Sequence, residues 1–404
     1  MSYYLRELAV ESSADAEREL AALGIDPFSI RVLVPKMVHR LLLVMGTNDE
    51  ETALLKQEML ALGGDVAVAR GNWGLSADEK AFILMGTEKQ LVSLCKRLAS
   101  RPFNFPLLAR EIQRTIDVLA NPCRTWRFGE RILDLSRRPA IMGILNVTPD
   151  SFSDGNRFVS VPRAIERALE MEAEGADIID IGGESTRPNA QPVSLQEEMD
   201  RVMPVLEGVR GTLTVPVSID TYKASVAREA LAAGAEIIND ISAMTFDDGM
   251  REVLAASDAG LVMMHSRGRP LDMQKNTAYK SIMGEISEFF HAALDRAAQA
   301  GIAAERIVID PGIGFGKSGA GNLEILRRLR ELAVLNRPIL VGPSRKTFIG
   351  QTLGIEVGDR LYGTAAAVAV AVMNGATLLR VHDVREMRDV ADMTAALCGP
   401  AASP

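Results

Sequence analysis

From Ala140 onward the chain repeats one unit about eight times: a short apolar run, a few polar residues, then a helix-forming stretch. The apolar runs are 140–145, 177–181, 215–219, 236–239, 260–264, 306–309, 338–341 and 377–381. Each is short and mostly apolar, as strands covered on both faces should be. Stretches rich in Ala, Glu, Leu and Arg, such as 161–174 and 281–300, lie between them. Eight β-α units in about 260 residues predict an α/β fold, a (β/α)8 TIM barrel. A doubly wound open sheet is the alternative. No Gly-x-Gly-x-x-Gly opens a helix after the first strand, which argues against the dinucleotide-binding version of that sheet.

Upstream of the repeat, residues 1–120 read as a smaller α+β domain of unknown role. Leu41 to Val44 with Met45-Gly46-Thr47 precedes a helical stretch from Asp49 to Leu62. Ala81 to Leu84 with Met85-Gly86-Thr87 precedes another, Glu88 to Ala99. The two units lie about 40 residues apart, too few copies for a solenoid. Thr47 and Thr87 are expected N-caps, and Asp65 to Ala69 is a further strand candidate. Residues 121–139 form a junction, in which Trp126-Arg127-Phe128 and Arg131 to Leu135 flank Gly129-Glu130 as a short hairpin, placed to plug one end of the barrel. The barrel is expected over 140–397, with 398–404 as a tail.

The net charge of -8 argues against a nucleic-acid or anionic-membrane surface. Cys95, Cys123 and Cys398 show no metal-ligand spacing and read as reduced thiols. The first 20 residues have acidic side chains and no apolar core of a signal peptide. The longest uninterrupted apolar run, Ala365 to Met373, is too short to span a bilayer. These features predict a soluble, cytoplasmic protein.

In a barrel of this kind the site lies at the C-terminal ends of the strands. All eight predicted strands end in polar residues: Asn146; Asp180, Glu184, Thr186 and Arg187; Asp220; Asn239-Asp240; His265; Asp310 to Lys317; Ser344-Arg345-Lys346; and Arg380 with His382-Asp383. Asp220, Asn239, Asp310 and Lys346 suit a planar, nitrogen-rich heterocycle, with oxygens to accept from ring N–H and amino groups and an ammonium to donate. Arg187, Arg380 and His382, with the polar 148–155 loop, suit a di-anion such as a pyrophosphate. Asn146 offers a neutral oxygen that a hard cation such as Mg²⁺ accepts beside phosphate oxygens.

Plainer roles compete at several positions. Asp240 and Asp383 also stand where helix caps belong. Asp180 is placed to pair with a basic residue inside the mouth, and Glu184 reads as a brace. His265 reads as a core histidine satisfied by a backbone carbonyl. His39 and His291 fall outside the pattern. Gly312, Gly314 and Gly316 lack the Lys-Ser/Thr ending of a phosphate loop and read as a flexible active-site loop, with Lys317 solvated.

The strand-end motifs together resemble those of the dihydropteroate synthase family of folate biosynthesis. The matching pieces are Asn146-Val-Thr-Pro-Asp-Ser-Phe-Ser-Asp-Gly155, Gly182-Gly-Glu-Ser-Thr-Arg-Pro188, Ser218-Ile-Asp-Thr221, Ile238-Asn-Asp-Ile241, Asp310-Pro-Gly-Ile-Gly-Phe-Gly-Lys317, Ser344-Arg-Lys346 and Arg380-Val-His-Asp-Val384. They run in the family's order over about two thirds of the chain. The resemblance implies a transferase that joins 6-hydroxymethyl-7,8-dihydropterin diphosphate to 4-aminobenzoate and releases pyrophosphate with Mg²⁺. It implies a pterin pocket at Asp220, Asn239, Asp310 and Lys346, and a diphosphate site at Asn146 (through the metal), Thr186, Arg380 and His382. It implies an aminobenzoate subsite at Phe315, Ser344 and Arg187, with Asp310, Lys346 and Arg187 carrying catalysis. It further implies a homodimer, for which the Ala-rich helix 364–373 is a candidate surface.

Two departures stand out. The family's usual His-Met-x-Gly is His265-Ser266-Arg267-Gly268 here, and Asn189 takes a position where Gly is common. Residues 1–125 match no part of the minimal enzyme. Two readings compete: a pterin-binding methyltransferase, which needs no diphosphate site, and a catalytically silent pterin-binding module. Arg187, Lys346 and Arg380-Val-His382 favour the synthase over both.

Overall fold

The computed structural model describes residues 3–70, 80–102, 104–148, 160–185 and 190–399. The chain divides into two compact units, Met1–Pro122 and Cys123–Pro404. The first unit comprises α1 (Ser13–Ala22), α2 (Pro27–Met37), β1 (His39–Thr47), α3 (Asp49–Ala61), β2 (Asp65–Val68), β3 (Lys80–Thr87), α4 (Glu88–Leu98) and α5 (Phe105–Ala120). Its antiparallel sheet runs in the order β1-β3-β2. Leu55, Met59, Phe82, Leu84, Leu91 and Ile112 form its core, which draws on one sheet face and the helices. The opposite sheet face leaves Leu41, Leu43 and Ile83 exposed.

Local capping chemistry explains where the helices start. Ser12 accepts from Asp15 N, and Asp15 answers to the Ser12 backbone, a reciprocal capping box. Asp26 caps α2 ahead of Pro27, which is pre-set for a first helical position. Thr87 caps α4 as its position predicts. The expected cap at Thr47 is corrected: Asn48 accepts from Glu51 N and caps α3, while Thr47 Oγ1 lies 3.0 Å from Thr52 Oγ1.

In the second unit β4 (Thr125–Phe128) and β5 (Arg131–Asp134) pair as an antiparallel hairpin. Eight strands follow: β6 (Ala140–Asn146), β7 (Ile178–Gly182), β8 (Val217–Asp220), β9 (Ile237–Asp240), β10 (Gly260–Met264), β11 (Ile307–Asp310), β12 (Leu340–Val341) and β13 (Leu378–Val381). Each is parallel to its sheet neighbours, in the order β11-β10-β9-β8-β7-β6-β13-β12. The bridge Ile309↔Ile339 and the bond from Ile309 N to Pro338 O (3.0 Å) join β11 to the β12 side. The eight strands thus make a (β/α)8 barrel. Between and after them run α6 (Val161–Ala173), α7 (Leu195–Val209), α8 (Ala224–Ala233), α9 (Gly249–Ala255), α10 (Ile282–Gln299), α11 (Gly319–Arg328), α12 (Thr347–Leu353), α13 (Leu361–Met373) and α14 (Val384–Cys398). Among the described residues no helix is long and apolar enough to cross a membrane. All three cysteines are free.

The two ends of the barrel differ in chemistry. At the N-terminal end, Trp126 and Phe128 of the hairpin pack with Ala140, Ile178, Ile237, Val308, Leu340 and Leu378. Trp126 is fully buried, and its Nε1 donates to Arg306 O at 2.7 Å. A side chain at Gly260 would come within 2.9 Å of the Trp126 ring, so the hairpin presses directly on β10. The apolar end is therefore closed, and ligand chemistry is left to the other. Trp126→Ala is expected to cost about 3–5 kcal/mol, the usual penalty for emptying a buried aromatic site. Urea unfolding checks this; a loss below about 1 kcal/mol would mean that the hairpin is not part of the barrel's cooperative core.

Candidate active site

At the C-terminal end Arg380 organises the mouth. Its Nε donates to Asp180 Oδ2 at 2.6 Å and its Nη2 to Asp220 Oδ2 at 2.7 Å. Asn239 Nδ2 donates to the same Asp180 oxygen at 3.1 Å. Asp180, Asp220 and Asn239 are all buried, and the cluster ties β13 to β7, β8 and β9. Among the described residues Arg380 Nη1 has no hydrogen-bond partner, which leaves one donor group for an incoming acceptor.

Burial pushes Asp220 up to about 7; Arg380 opposes that rise and Asp180 adds to it. One guanidinium shared between two carboxylates does not fully repay the loss of water. Arg380 itself is held above its ordinary range, because the fields of Asp180 and Asp220 outweigh its own burial. Asp240 is pushed up to about 6 by burial and accepts from Ser242 N (2.8 Å), Ser242 Oγ (2.7 Å) and Met244 N (2.7 Å). It shapes the turn after β9, in which Ala243 and Met244 adopt positive φ, and it does not cap α9.

Asp310 ends β11, accepts from Gly312 N at 2.7 Å and is raised by burial. Lys346 Nζ donates to Ile313 O and stands 4.4 Å from the centre of the Phe315 ring. Burial lowers Lys346 to about 8 against the pull of Asp310. Phe315 belongs to a small apolar group with Tyr222, Ile241, Met264 and Met273, which offers a flat ring something to lie on. Ser344 Oγ lies 3.0 Å from His382 Nδ1 and accepts from His382 N at 3.2 Å. A side chain at Gly182 would stand 3.5 Å from Asp220 Cβ and 3.8 Å from Asn146 Oδ1, so Asn146 borders the same space.

The site residues expected from sequence thus fall into three groups. Asp220, Asn239 and Arg380 form one connected cluster with Asp180; Asp310, Lys346 and Phe315 meet across the glycine loop; Ser344 and His382 form a pair. Thr186 and Arg187, and positions 149–155 of the first loop, lie outside the described residues. Among the described residues no three His, Cys, Asp or Glu side chains are grouped to hold a metal ion. A single neutral donor such as Asn146 suits a cation that arrives with phosphate oxygens of its own.

Beside Asp240, three further plainer expectations change. Lys317 is buried, with Nζ 2.9 Å from His265 Nδ1. The loop expected to be flexible is tied down at Gly312, Gly314 and Gly316, all at positive φ. Asp383 accepts from Arg345 Nε at 3.0 Å and makes no side-chain cap on α14. Glu184 is a brace, accepting from Tyr222 Oη (2.8 Å) and Lys223 Nζ (2.6 Å). Lys223 and Met273 carry no motif signal, since the first follows an ordinary Asp-Thr-Tyr and the second sits in a short 3₁₀ turn, Met273–Lys275.

Arg380→Met is expected to leave two buried carboxylates without their cation, at about 3–5 kcal/mol near pH 8. With a folded value near 7, above its ordinary 3.8, Asp220 binds a proton more readily in the native state than in the unfolded one. Lowering the pH through 7 therefore removes one of the stranded charges, and the cost should shrink by pH 5.5. Urea titrations of both proteins at the two pH values check this. A cost that grows on acidification would contradict the assigned ion cluster.

The pterin-binding enzyme family matches residues 142–382. A dihydropteroate synthase of Synechocystis sp. is 47% identical over 270 residues, covering 67% of this chain and 93% of that protein. A probable bifunctional folylpolyglutamate synthase/dihydropteroate synthase of Halobacterium salinarum is 39% identical over 391 residues, 94% of this chain and 45% of its own length. That second match takes in the N-terminal unit, although this chain spans less than half of that relative. Among solved structures, the dihydropteroate synthase of Xanthomonas albilineans with 4-aminobenzoic acid aligns with a TM-score of 0.64 and 42% identity, over 69% of this chain and all of that one, 100%.

Proposed function

The chain belongs to the dihydropteroate synthases of the pterin-binding enzyme family, and we propose how its own residues perform that reaction. 6-Hydroxymethyl-7,8-dihydropterin diphosphate and 4-aminobenzoate are the substrates, and 7,8-dihydropteroate and pyrophosphate the products. The observation that carries the residue assignments is the polar arc of buried Asp220, Asn239 and Asp310 with half-buried Lys346, beside an apolar group. Asp220 and Asn239 address one edge of the pterin ring, with Asp220 accepting from N–H groups. Asp310 accepts at another edge, and Lys346 donates to a ring carbonyl or nitrogen. Ile241 and Met264 support the ring faces.

Arg380 Nη1 and His382 receive the diphosphate, with Ser344 holding the imidazole. Asn146 would hold a Mg²⁺ ion that neutralises charge on the departing pyrophosphate. The C–O bond to pyrophosphate breaks, the electron-rich pterin delocalises the resulting cation, and Asp310 stabilises it. The neutral arylamine forms the new C–N bond and then gives up a proton. It needs no strong base, so positioning and charge stabilisation carry the catalysis. Phe315 and Ser344 flank the aminobenzoate. Thr186, at the diphosphate, and Arg187, between the two substrates, are assigned on the motif alone. We place the protein in the cytoplasm as a homodimer, and α13, which exposes Tyr362 and Met373, is the candidate contact surface.

Incubating the full chain with both substrates should give dihydropteroate by mass spectrometry, dependent on Mg²⁺. Asp310→Asn should lower kcat/KM about 100-fold, in line with the removal of one preorganised electrostatic group. Binding without product would defeat the reading and leave a silent pterin-binding module. The pH profile of kcat/KM for the pterin diphosphate should be bell-shaped. Asp220 must be ionised to accept, which sets an acid limb at about 7, and Lys346 must be charged to donate, which sets an alkaline limb at about 8. A profile flat from pH 6 to 9 would contradict those two roles.

A further inference from the structure

Lys317 is a buried lysine for which the reaction described above has no task. Its Nζ lies 2.9 Å from His265 Nδ1, 3.1 Å from His265 O and 2.9 Å from Phe315 O. Three acceptors match the three donors of an ammonium, and they stand against the burial that pushes Lys317 well below the ordinary lysine range. Burial and the neighbouring lysine charge hold His265 down at about 2, so its ring is neutral and can offer Nδ1 as an acceptor. Phe289 packs edge-on against the same ring, 4.9 Å between centroids, which fixes the imidazole plane.

The glycine loop divides into two halves with separate anchors. Gly312 N donates to Asp310 Oδ1 (2.7 Å), Gly314 N to Asn322 Oδ1 (2.7 Å), and Gly314 O accepts from Gln274 Nε2 (2.8 Å). That first half carries the Ile313 carbonyl that receives Lys346. The second half is held by Lys317 at the Phe315 carbonyl and by Tyr279 Oη at Gly316 O (2.9 Å). The loop also lies flat on the exit of β10: a Cβ on Gly312 would fall 2.0 Å from His265 O, and one on Gly316 2.6 Å from Arg267 O. Alternate carbonyls thus serve two lysines, Ile313 O for Lys346 and Phe315 O for Lys317.

We propose that Lys317 is a positioning residue, pinning the Phe315 half of the loop to the His265 segment and so setting where the Phe315 ring stands in the aminobenzoate subsite. The inference rests on the proposed placement of aminobenzoate beside Phe315. Because the Lys346 half keeps its own anchors, loss of Lys317 should loosen one subsite and spare the other.

The test is steady-state kinetics on the full chain. Lys317→Met should raise KM for 4-aminobenzoate about tenfold or more, as a small misplacement of a positioning group does, with KM for the pterin diphosphate changed less than about twofold. His265→Leu should give the same split, His265→Asn, which keeps an acceptor, should largely restore the wild-type value, and the Lys317→Met/His265→Leu pair should be no worse than either alone. Should Lys317→Met fail to fold, Tyr279→Phe removes one hydroxyl from the same half of the loop and should show the same split at about threefold. Proportionate rises in both KM values, or no rise in either, would overturn the inference while leaving the synthase reading intact. A wild-type chain without turnover would defeat the synthase reading, and this inference with it.

Discussion

Two carboxylates buried at one end of a barrel need a cation between them, and Arg380 is that cation. Asp180 and Asp220 each accept from it, and Asn239 is oriented by the Asp180 oxygen that Arg380 also holds. Without Arg380 the same residues would repel one another or take up protons, and the mouth would lose its register across β7, β8, β9 and β13. The arrangement is electrostatically tense: Asp220 is raised although a guanidinium touches it, because its burial, with the field of Asp180 added, outweighs the pull of Arg380. A ligand that donates N–H groups to Asp220 relieves part of that tension, which is a physical reason for a nitrogen-rich heterocycle to settle there.

The rest of the barrel makes this concentration of charge affordable. At the far end Trp126 and Phe128 close the core with apolar surface, and the strands between are buried on both faces. The polar groups of the site are thus gathered at the C-terminal end, where the loops supply partners. The glycine loop, with positive φ at three positions, is one short segment whose alternate carbonyls, Ile313 O and Phe315 O, serve Lys346 and Lys317 at once. The acidic Glu184 and Glu198 likewise share one cation, Lys223.

What could be read from sequence followed the physics of periodicity. The eight barrel strands lie within about two residues of their apolar runs, because a strand covered on both faces leaves no amphipathic ambiguity. The residues at the strand ends were legible for the same reason. In the N-terminal unit α1, α2 and α5 were not assigned, although the Ser12/Asp15 box and Asp26-Pro27 were signals for the first two. The α3 cap slipped by one residue because Thr47 and Asn48 are both good caps, and only the backbone geometry chooses between them. Lys317 was missed on different grounds. A lysine after a glycine loop is usually solvated, and its burial follows from where the loop folds, not from any local pattern. Which carboxylates Arg380 would hold was equally a matter of barrel closure.

The central claim is that the arc of Asp220, Asn239, Asp310 and Lys346 is a pterin site. Calorimetric titration of 6-hydroxymethylpterin into the full chain, beside an Asn239→Ala variant, tests it most directly. The account predicts one site per chain in the wild type and an affinity at least about tenfold weaker in the variant, the loss expected when a buried hydrogen-bonding partner is removed. Equal affinity in both proteins, or no binding to a folded wild type, would contradict it.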